Sequence, residues 1–138
     1  MEKELRTFRP PSAEGLGLPE GLVWPRYAGR SVGNLGPTVC EALGASDALP
    51  PTALAPLASG LVDDLYEGIR RVVLLVIDGM GWMALHRVME TGTDLVFHDL
   101  ARLGRLIPLT TTFLSTTNSV LSTIFTAHPP AQHGLLAY

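Results

Sequence analysis

The feature that most constrains the fold is a run of six consecutive apolar residues, 72–77, four of which are β-branched. Asp78 and Gly79 end the run. An unbroken apolar run of this kind is typical of a strand that is covered on both faces, as in the centre of a parallel sheet. It is much shorter than the roughly 20 residues with which a helix crosses a bilayer. The sequence therefore predicts a central parallel strand at residues 72–77.

Downstream of this strand, the pattern alternates between helix and strand. Residues 81–89 have apolar side chains at helical spacing, and residues 95–103 are predicted to form a second helix. Residues 106–109 are typical of a second strand. The connection between the two strands is long enough for a right-handed crossover, which makes them parallel in one sheet. We therefore predict an α/β fold built on a parallel sheet.

A third helix is predicted immediately after the second strand. The polar run at residues 110–117 is followed by apolar residues at helical spacing in residues 120–125. Pro129 and Pro130 then end the pattern. This helix therefore begins close to Thr117.

The N-terminal part of the chain is rich in turn-forming residues. Eight of the 11 prolines and eight of the 14 glycines lie within residues 1–60, and the first thirty residues are predicted to be irregular. A short helix is predicted at residues 38–43 and another at residues 57–66. We therefore expect a loop-rich segment at residues 1–60 and a second region at residues 61–138.

Charge and cysteine content exclude several classes of protein. The net charge is −3 and the basic residues form no cluster, so we expect no nucleic-acid partner. The N-terminus lacks the apolar core of a secretory signal, and the single Cys40 cannot form an intramolecular disulfide. We expect a cytoplasmic protein with no membrane partner.

The last third of the chain carries no charged side chain. Residues 106–138 contain no Asp, Glu, Lys or Arg. A free surface normally carries many charges, so we expect this segment to be the interior of something larger. The alternative is that the small domain buries the segment itself.

Asp78 and Thr117 are the candidate functional residues. Asp78 ends the first predicted strand, and Thr117 begins the helix after the second, so both belong at the carboxyl edge of the sheet, where ligands bind. A carboxylate is a hard ligand for a divalent ion, and a helix N-terminus favours a phosphoryl oxygen. Together they indicate metal-assisted phosphoryl chemistry, for which zinc is suited. Taken separately, Asp78 is more typical of a turn and Thr117 of a helix cap than of a functional site.

Three sequence motifs resemble the alkaline phosphatase superfamily, and most closely its type I phosphodiesterase/nucleotide pyrophosphatase group. They are Val-Val-Leu-Leu-Val-Ile-Asp-Gly-Met-Gly-Trp at 72–82, Phe-Leu-Ser-Thr-Thr-Asn-Ser at 113–119 and Thr-Ala-His-Pro-Pro-Ala-Gln-His-Gly at 126–134. The resemblance implies hydrolysis of a small phosphodiester, phosphate ester or nucleotide by two zinc ions. It implies that Asp78 is a metal ligand. It also implies that Thr117 is both the nucleophile, transiently phosphorylated or nucleotidylated, and a zinc ligand.

The chain departs from the family pattern at several positions. Leu114 replaces the usual proline, Ala127 and His128 replace a glycine-containing turn, and Val120 occupies the place of a phosphate-binding asparagine. The family's other Asp and His ligands come from sequence downstream of the His133-Gly134 motif. Because zinc needs three or four protein ligands, we expect the isolated chain to be inactive without a further segment or a complementing chain.

Two other hypotheses stay open at this point. Residues 79–84 satisfy the Gly-x-Gly-x-x-Ala pattern after a strand, with Asp99 about twenty residues on, as in a dinucleotide-binding module. The chain is alternatively an inert fragment of a split gene.

The remaining histidines and the cysteine are assigned no functional role. His128 and His133 are predicted to be structural, and Cys40 to be a small core residue. His86 and His98 are predicted to lie on helix surfaces.

Overall fold

The computed structural model describes residues 2–92 and 95–137, and these residues are helical and irregular. The α-helices of this part are α1 (Glu2–Thr7), α2 (Leu35–Ala42), α3 (Trp82–Thr91), α4 (Val96–Leu103), α5 (Thr117–Thr126) and α6 (Pro130–His133). Short 3₁₀ turns lie at Pro11–Ala13, Val32–Asn34, Ser46–Ala48 and Asp63–Leu65. The chain divides into a first unit, Met1–Val72 with Leu109–Tyr138, and a second unit, Val73–Pro108. The predicted boundary at residue 60 stays a prediction.

The predicted α/β fold with a parallel sheet is wrong, because the described part of the chain contains no strand. The apolar run, residues 72–77, is irregular, and its side chains are exposed, Val73 by 92% and Leu75 by 78%. Residues 106–109 are also irregular, and next to them Thr110 forms one isolated parallel bridge with Ser31. A strand persists only where neighbouring strands satisfy its backbone N–H and C=O groups. Residues 2–92 and 95–137 offer the apolar run no such neighbour.

Four of the predicted helices are confirmed. Those expected at residues 81–89 and 95–103 are α3 and α4, and the helix expected near Thr117 is α5. The helix expected at residues 38–43 is α2, which begins earlier, at Leu35. The earlier start follows from the 3₁₀ turn before it, where a capping box joins Ser31 and Asn34.

Two predictions for the N-terminal half are wrong. Residues 57–66 form only the 3₁₀ turn Asp63–Leu65, because the Asp63 carboxylate accepts hydrogen bonds from the Ser59 hydroxyl (3.0 Å) and the Gly60 N–H (2.7 Å). Such side-chain bonds compete with a regular helix. The first thirty residues, predicted to be irregular, contain α1 and the turn Pro11–Ala13.

A buried asparagine organises the first unit. Asn34 is 0% exposed, and its Nδ2 donates hydrogen bonds to the backbone oxygens of Tyr27 and Ala55, both at 2.7 Å. Its Oδ1 accepts a hydrogen bond from the backbone N–H of Ser31 at 2.9 Å. The Asn34 side chain therefore connects the segments that contain Tyr27, Ser31 and Ala55 by hydrogen bonds to their backbones. In a regular sheet, such connections are made by hydrogen bonds between backbone groups.

Close contacts with the same region hold α5 in place. The helix packs against α2 and against the turn Val32–Asn34. A Cβ atom on Gly33 would lie 2.7 Å from Cγ2 of Thr123, so only glycine allows this approach. Ile124 is buried, its backbone oxygen lies against Gly36 of α2, and the Leu54 N–H donates to the Ala127 oxygen at 2.7 Å. These contacts hold α5, and therefore its N-terminus with Thr117, in a fixed position within the first unit.

The second unit consists of α3, α4 and the segment before them. The His98 ring lies 3.0 Å from the Met89 backbone oxygen and so links the two helices. Val96, Leu100 and Leu103 are spaced along α4 and exposed, Leu103 by 82%. Among the described residues, no helix combines the length and the hydropathy that a bilayer crossing requires. A cytoplasmic location stays a prediction.

Candidate functional site

Thr117 is the first residue of α5, and it is exposed. Thr116 precedes it as the N-cap residue in extended conformation, and its carbonyl accepts the first helical hydrogen bond, from Val120 N–H at 2.9 Å. The side chain of Thr116 does not cap the helix. Because the first N–H groups of a helix have no intrahelical partner, this end of α5 presents backbone donors beside the Thr117 hydroxyl.

Two further hydroxyls lie in the first turn of α5. Thr116 Oγ1 and Ser119 Oγ are buried, and neither has a hydrogen-bond partner among the described residues. Ser119 as a whole is 0% exposed. Buried polar atoms normally have partners, so each such exception requires an explanation. Of these hydroxyl residues only Thr117 was predicted from the sequence, although the four hydroxyl residues within 115–119 are a signal for the wider group.

A hydrogen-bond chain connects α6 to this first turn. His133 Nδ1 accepts from the Leu135 N–H at 3.1 Å, which leaves the proton of the neutral ring on Nε2. Nε2 lies 2.9 Å from Thr123 Oγ1, and that hydroxyl donates to the Ser119 oxygen at 2.8 Å. His133 therefore supports the α5 backbone next to Thr117, in line with the structural role predicted for it.

The loop before α5 is anchored on the first unit. Thr110 Oγ1 accepts from the Arg26 N–H at 2.8 Å and donates to the Arg30 oxygen at 2.9 Å. Burial raises the pKa of Tyr27, and a hydrogen bond from the backbone of Phe113 offsets part of that rise. These contacts fix the path of the chain toward Thr117.

Asp78 lies in the second unit, at an exposed turn. The Gly79 N–H donates to Asp78 Oδ1 at 2.8 Å. A cavity of about 340 Å³ adjoins the turn and is lined by Asp78, by apolar residues of α3 such as Leu85 and Val88, and by Phe97. The carboxylate thus stands at the edge of an apolar cavity within this unit.

The predicted convergence of Asp78 and Thr117 stays a prediction, because each residue belongs to a different unit. Within residues 2–92 and 95–137, no group of three or more His, Cys, Asp or Glu side chains is placed to hold a metal ion. A zinc site needs three or four protein ligands. The donors of the described residues therefore do not complete a zinc site.

A second cavity, which the sequence did not indicate, lies in the first unit. It has a volume of about 410 Å³ and is lined in part by Glu41 and Asp63. The Tyr66 hydroxyl donates to Glu41 Oε2 at 3.3 Å. Burial, together with the negative charge of Glu41, raises the pKa of Tyr66 to about 12.

The other residues considered in the sequence are held in the surrounding structure. His128 Nδ1 lies 2.6 Å from the Thr126 oxygen and its Nε2 lies 2.9 Å from Thr52 Oγ1. Cys40 is half-buried on α2, and His86 is exposed on α3, 3.2 Å from a Glu90 carboxylate oxygen.

The dinucleotide-binding hypothesis requires a strand before its glycines. Residues 79–81 do precede a helix, but in the described residues no strand leads into them. The structural context of that fingerprint is therefore absent from the described part of the chain.

Comparison with protein families gives a match to the second half of the chain. Residues 72–138 match the sequence model of the family described as type I phosphodiesterase / nucleotide pyrophosphatase. Neither the curated proteins nor the solved structures gave a match to the chain. The matched segment contains both Asp78 and Thr117, and the family description is one of hydrolases. Residues 72–138, just under half of the chain, are thus similar to the type I phosphodiesterase / nucleotide pyrophosphatase family.

Proposed function

We propose that this chain contributes to the hydrolysis of a phosphodiester or phosphate ester of a small molecule or nucleotide, with Thr117 as the nucleophile. The observation that carries the proposal is the position of Thr117 at the N-terminus of α5, inside the family match. Helix N-termini favour anions, because their backbone donors and the positive end of the helix dipole point at the ligand.

The described residues supply specific parts of the reaction. The Thr117 hydroxyl gives its proton to water as Oγ1 forms a bond to phosphorus, and the alcohol or phosphate leaving group departs with its electron pair and takes up a proton from water. A second water molecule then cleaves the Thr117 phosphoester, which restores the hydroxyl and releases the phosphate product. The N–H groups of Asn118 and Ser119 stabilise charge on the phosphoryl oxygens.

Zinc is part of the proposal as the group that the family implies. Asp78 and Thr117 are its candidate ligands in this chain, and a bound zinc would lower the pKa of the threonine hydroxyl. Because the described donors do not complete a zinc site, we expect the chain alone to turn over substrate weakly. We derive no catalytic step through the metal.

The first test measures anion binding, which does not depend on a complete metal site. Inorganic phosphate is titrated into the ¹⁵N-labelled chain without metal, and amide shifts are followed by NMR. We expect the largest shifts at Asn118 and Ser119. Shifts confined to other residues, or no saturable shift, would contradict a phosphoryl site at this helix.

The second test measures turnover of bis(p-nitrophenyl) phosphate with Zn²⁺. We expect Thr117→Ala to lower the weak turnover of the chain to the uncatalysed level, because the substitution removes the nucleophile. Thr126→Ala is the matched control, since Thr126 is exposed at the opposite end of the same helix. Intact mass after an acid quench shows whether a phosphoryl group is attached at Thr117. Wild-type turnover above the uncatalysed level that Thr117→Ala leaves unchanged would refute the assignment.

A further inference from the structure

The first turn of α5 is not held by the side chains that usually hold a helix N-terminus. The N-cap residue, Thr116, makes no side-chain cap bond. Its Oγ1 and the Oγ of Ser119 are buried, and neither has a hydrogen-bond partner among the described residues. Cap side chains normally satisfy and fix the first backbone groups of a helix. The backbone around Thr117 is therefore held by other contacts.

Backbone hydrogen bonds hold the chain on both sides of Thr117. On one side, the Thr116 carbonyl accepts from the Val120 N–H at 2.9 Å. On the other side, the Ser119 carbonyl accepts from the Thr123 hydroxyl at 2.8 Å. The Ser119 carbonyl and the Val120 N–H belong to the same peptide group. This one peptide group therefore connects the N-cap residue to Thr123.

The His133 ring donates the hydrogen bond that orients the Thr123 hydroxyl. The proton of that hydroxyl goes to the Ser119 oxygen, so the 2.9 Å contact between Thr123 Oγ1 and His133 Nε2 has the ring N–H as its donor. The bond from the Leu135 N–H to Nδ1 requires the same tautomer. In a chain of hydrogen bonds, each bond polarises and strengthens the next. The ring N–H therefore strengthens the bond that holds the Ser119 carbonyl.

We propose that His133 is a positioning residue for the phosphoryl site at the N-terminus of α5, an inference that rests on the proposed function. Its Nε2–H acts through Thr123 on the peptide group between residues 119 and 120. That group holds the Asn118 and Ser119 N–H groups in the orientation that binds a phosphoryl oxygen. His133 thus contributes to phosphate affinity as well as to the fold, and it does so through the Nε2 donor and not through the Nδ1 acceptor.

Two substitutions of His133 separate its donor from its acceptor. A Gln amide places an N–H donor near the position of Nε2, whereas an Asn carbonyl places an acceptor near the position of Nδ1. Inorganic phosphate is titrated at pH 8 into the ¹⁵N-labelled full chain without metal, and the dissociation constant is obtained from the Asn118 and Ser119 amide shifts. We expect His133→Gln to keep the wild-type dissociation constant within about twofold and His133→Asn to raise it about three- to tenfold.

His128→Asn is the matched control. The His128 ring also contacts a backbone oxygen and a threonine hydroxyl, those of Thr126 and Thr52, but it lies beyond the opposite end of α5. This variant should leave the phosphate dissociation constant unchanged. The urea midpoint of each variant shows that it is folded under the titration conditions.

Thr123→Val interrupts the same hydrogen-bond chain at its centre. It removes the hydroxyl but keeps the Cγ2 methyl group that packs against Gly33. It should raise the dissociation constant as much as His133→Asn does. The double variant should lose no more than either single variant, because both substitutions interrupt one chain.

The outcomes distinguish this proposal from the proposed function. Equal dissociation constants for His133→Gln and His133→Asn, or additive losses in the double variant, would overturn the role of His133 and leave the phosphoryl site standing. No saturable shift at Asn118 and Ser119 in the wild type would overturn the proposed function and the role of His133 together.

Discussion

Replacing Asn34 with alanine is expected to lower the free energy of unfolding of the first unit by about 3–5 kcal/mol. The substitution removes the donors to Tyr27 and Ala55 and the acceptor for the Ser31 N–H. Ser31 is 0% exposed, so its N–H is left without a partner and without water, which costs about 1–3 kcal/mol. The two lost Nδ2 bonds, which are partly buried, add about 1 kcal/mol each.

The assay for Asn34→Ala is urea unfolding followed by far-UV circular dichroism. The midpoint should fall while the slope with urea stays unchanged, because the surface exposed on unfolding is the same. Ser59→Ala is the control, since the Ser59 hydroxyl also donates a hydrogen bond but in an exposed position. Its effect should stay within about 0.5 kcal/mol. A loss below about 1 kcal/mol for Asn34→Ala would refute the role of Asn34 as the centre of this unit.

Two further predictions concern packing and proton binding. Gly29→Ala should destabilise the first unit by about 2–4 kcal/mol in the same urea assay, because Gly29 has a φ of +86° and a Cβ there would lie 2.7 Å from the Ala58 nitrogen. Gly60→Ala, at a φ of +81° with open space around it, should lose about 1–2 kcal/mol, so an equal loss would argue against crowding at Gly29. The Tyr66 pKa of about 12 means that the fold binds this proton more tightly than the unfolded chain, so the stabilisation is present below pH 10 and lost as the pH rises toward 12. Phenolate absorbance should show this pKa falling in Glu41→Gln, and an unchanged value would exclude Glu41 as a cause.

The helices were predictable because their signal is local. Periodic apolar residues and end signals in the sequence place α3, α4 and α5 within a few residues. The failure at residues 57–66 is also local in origin, since Asp63 caps the backbone of Gly60 in a turn. The spacing of apolar residues carries no information about the competing hydrogen bond between the Gly60 N–H and the Asp63 carboxylate.

The sheet predicted from the apolar run is absent from the described residues, because a strand is defined by its partners as well as by its own residues. Residues 72–77 have the composition of a central strand, but composition does not supply the neighbouring backbone. Thr110 and Ser31 form their bridge across a large sequence separation that no local pattern encodes.

For the candidate site, too, the local feature was predictable from the sequence and the tertiary feature was not. The position of Thr117 at the start of a helix followed from the polar run before an apolar periodic segment. The burial of the Thr116 and Ser119 hydroxyls depends on how α5 packs against the turn Val32–Asn34, which is a tertiary property. The pairing of Thr117 with Asp78 stays a prediction.

The first unit is discontinuous in sequence, and this has a consequence for how the chain folds. Its two parts, Met1–Val72 and Leu109–Tyr138, meet through the Ser31–Thr110 bridge and the contacts of α5, with Val73–Pro108 looped between them. During synthesis, the N-terminal part must therefore wait for the α5 segment before Ser31 and Asn34 are enclosed. Loop-closure entropy grows only slowly with length, by about 0.6 kcal/mol for each doubling. The looped segment can therefore lengthen or shorten over generations at little thermodynamic cost to the unit that carries Thr117.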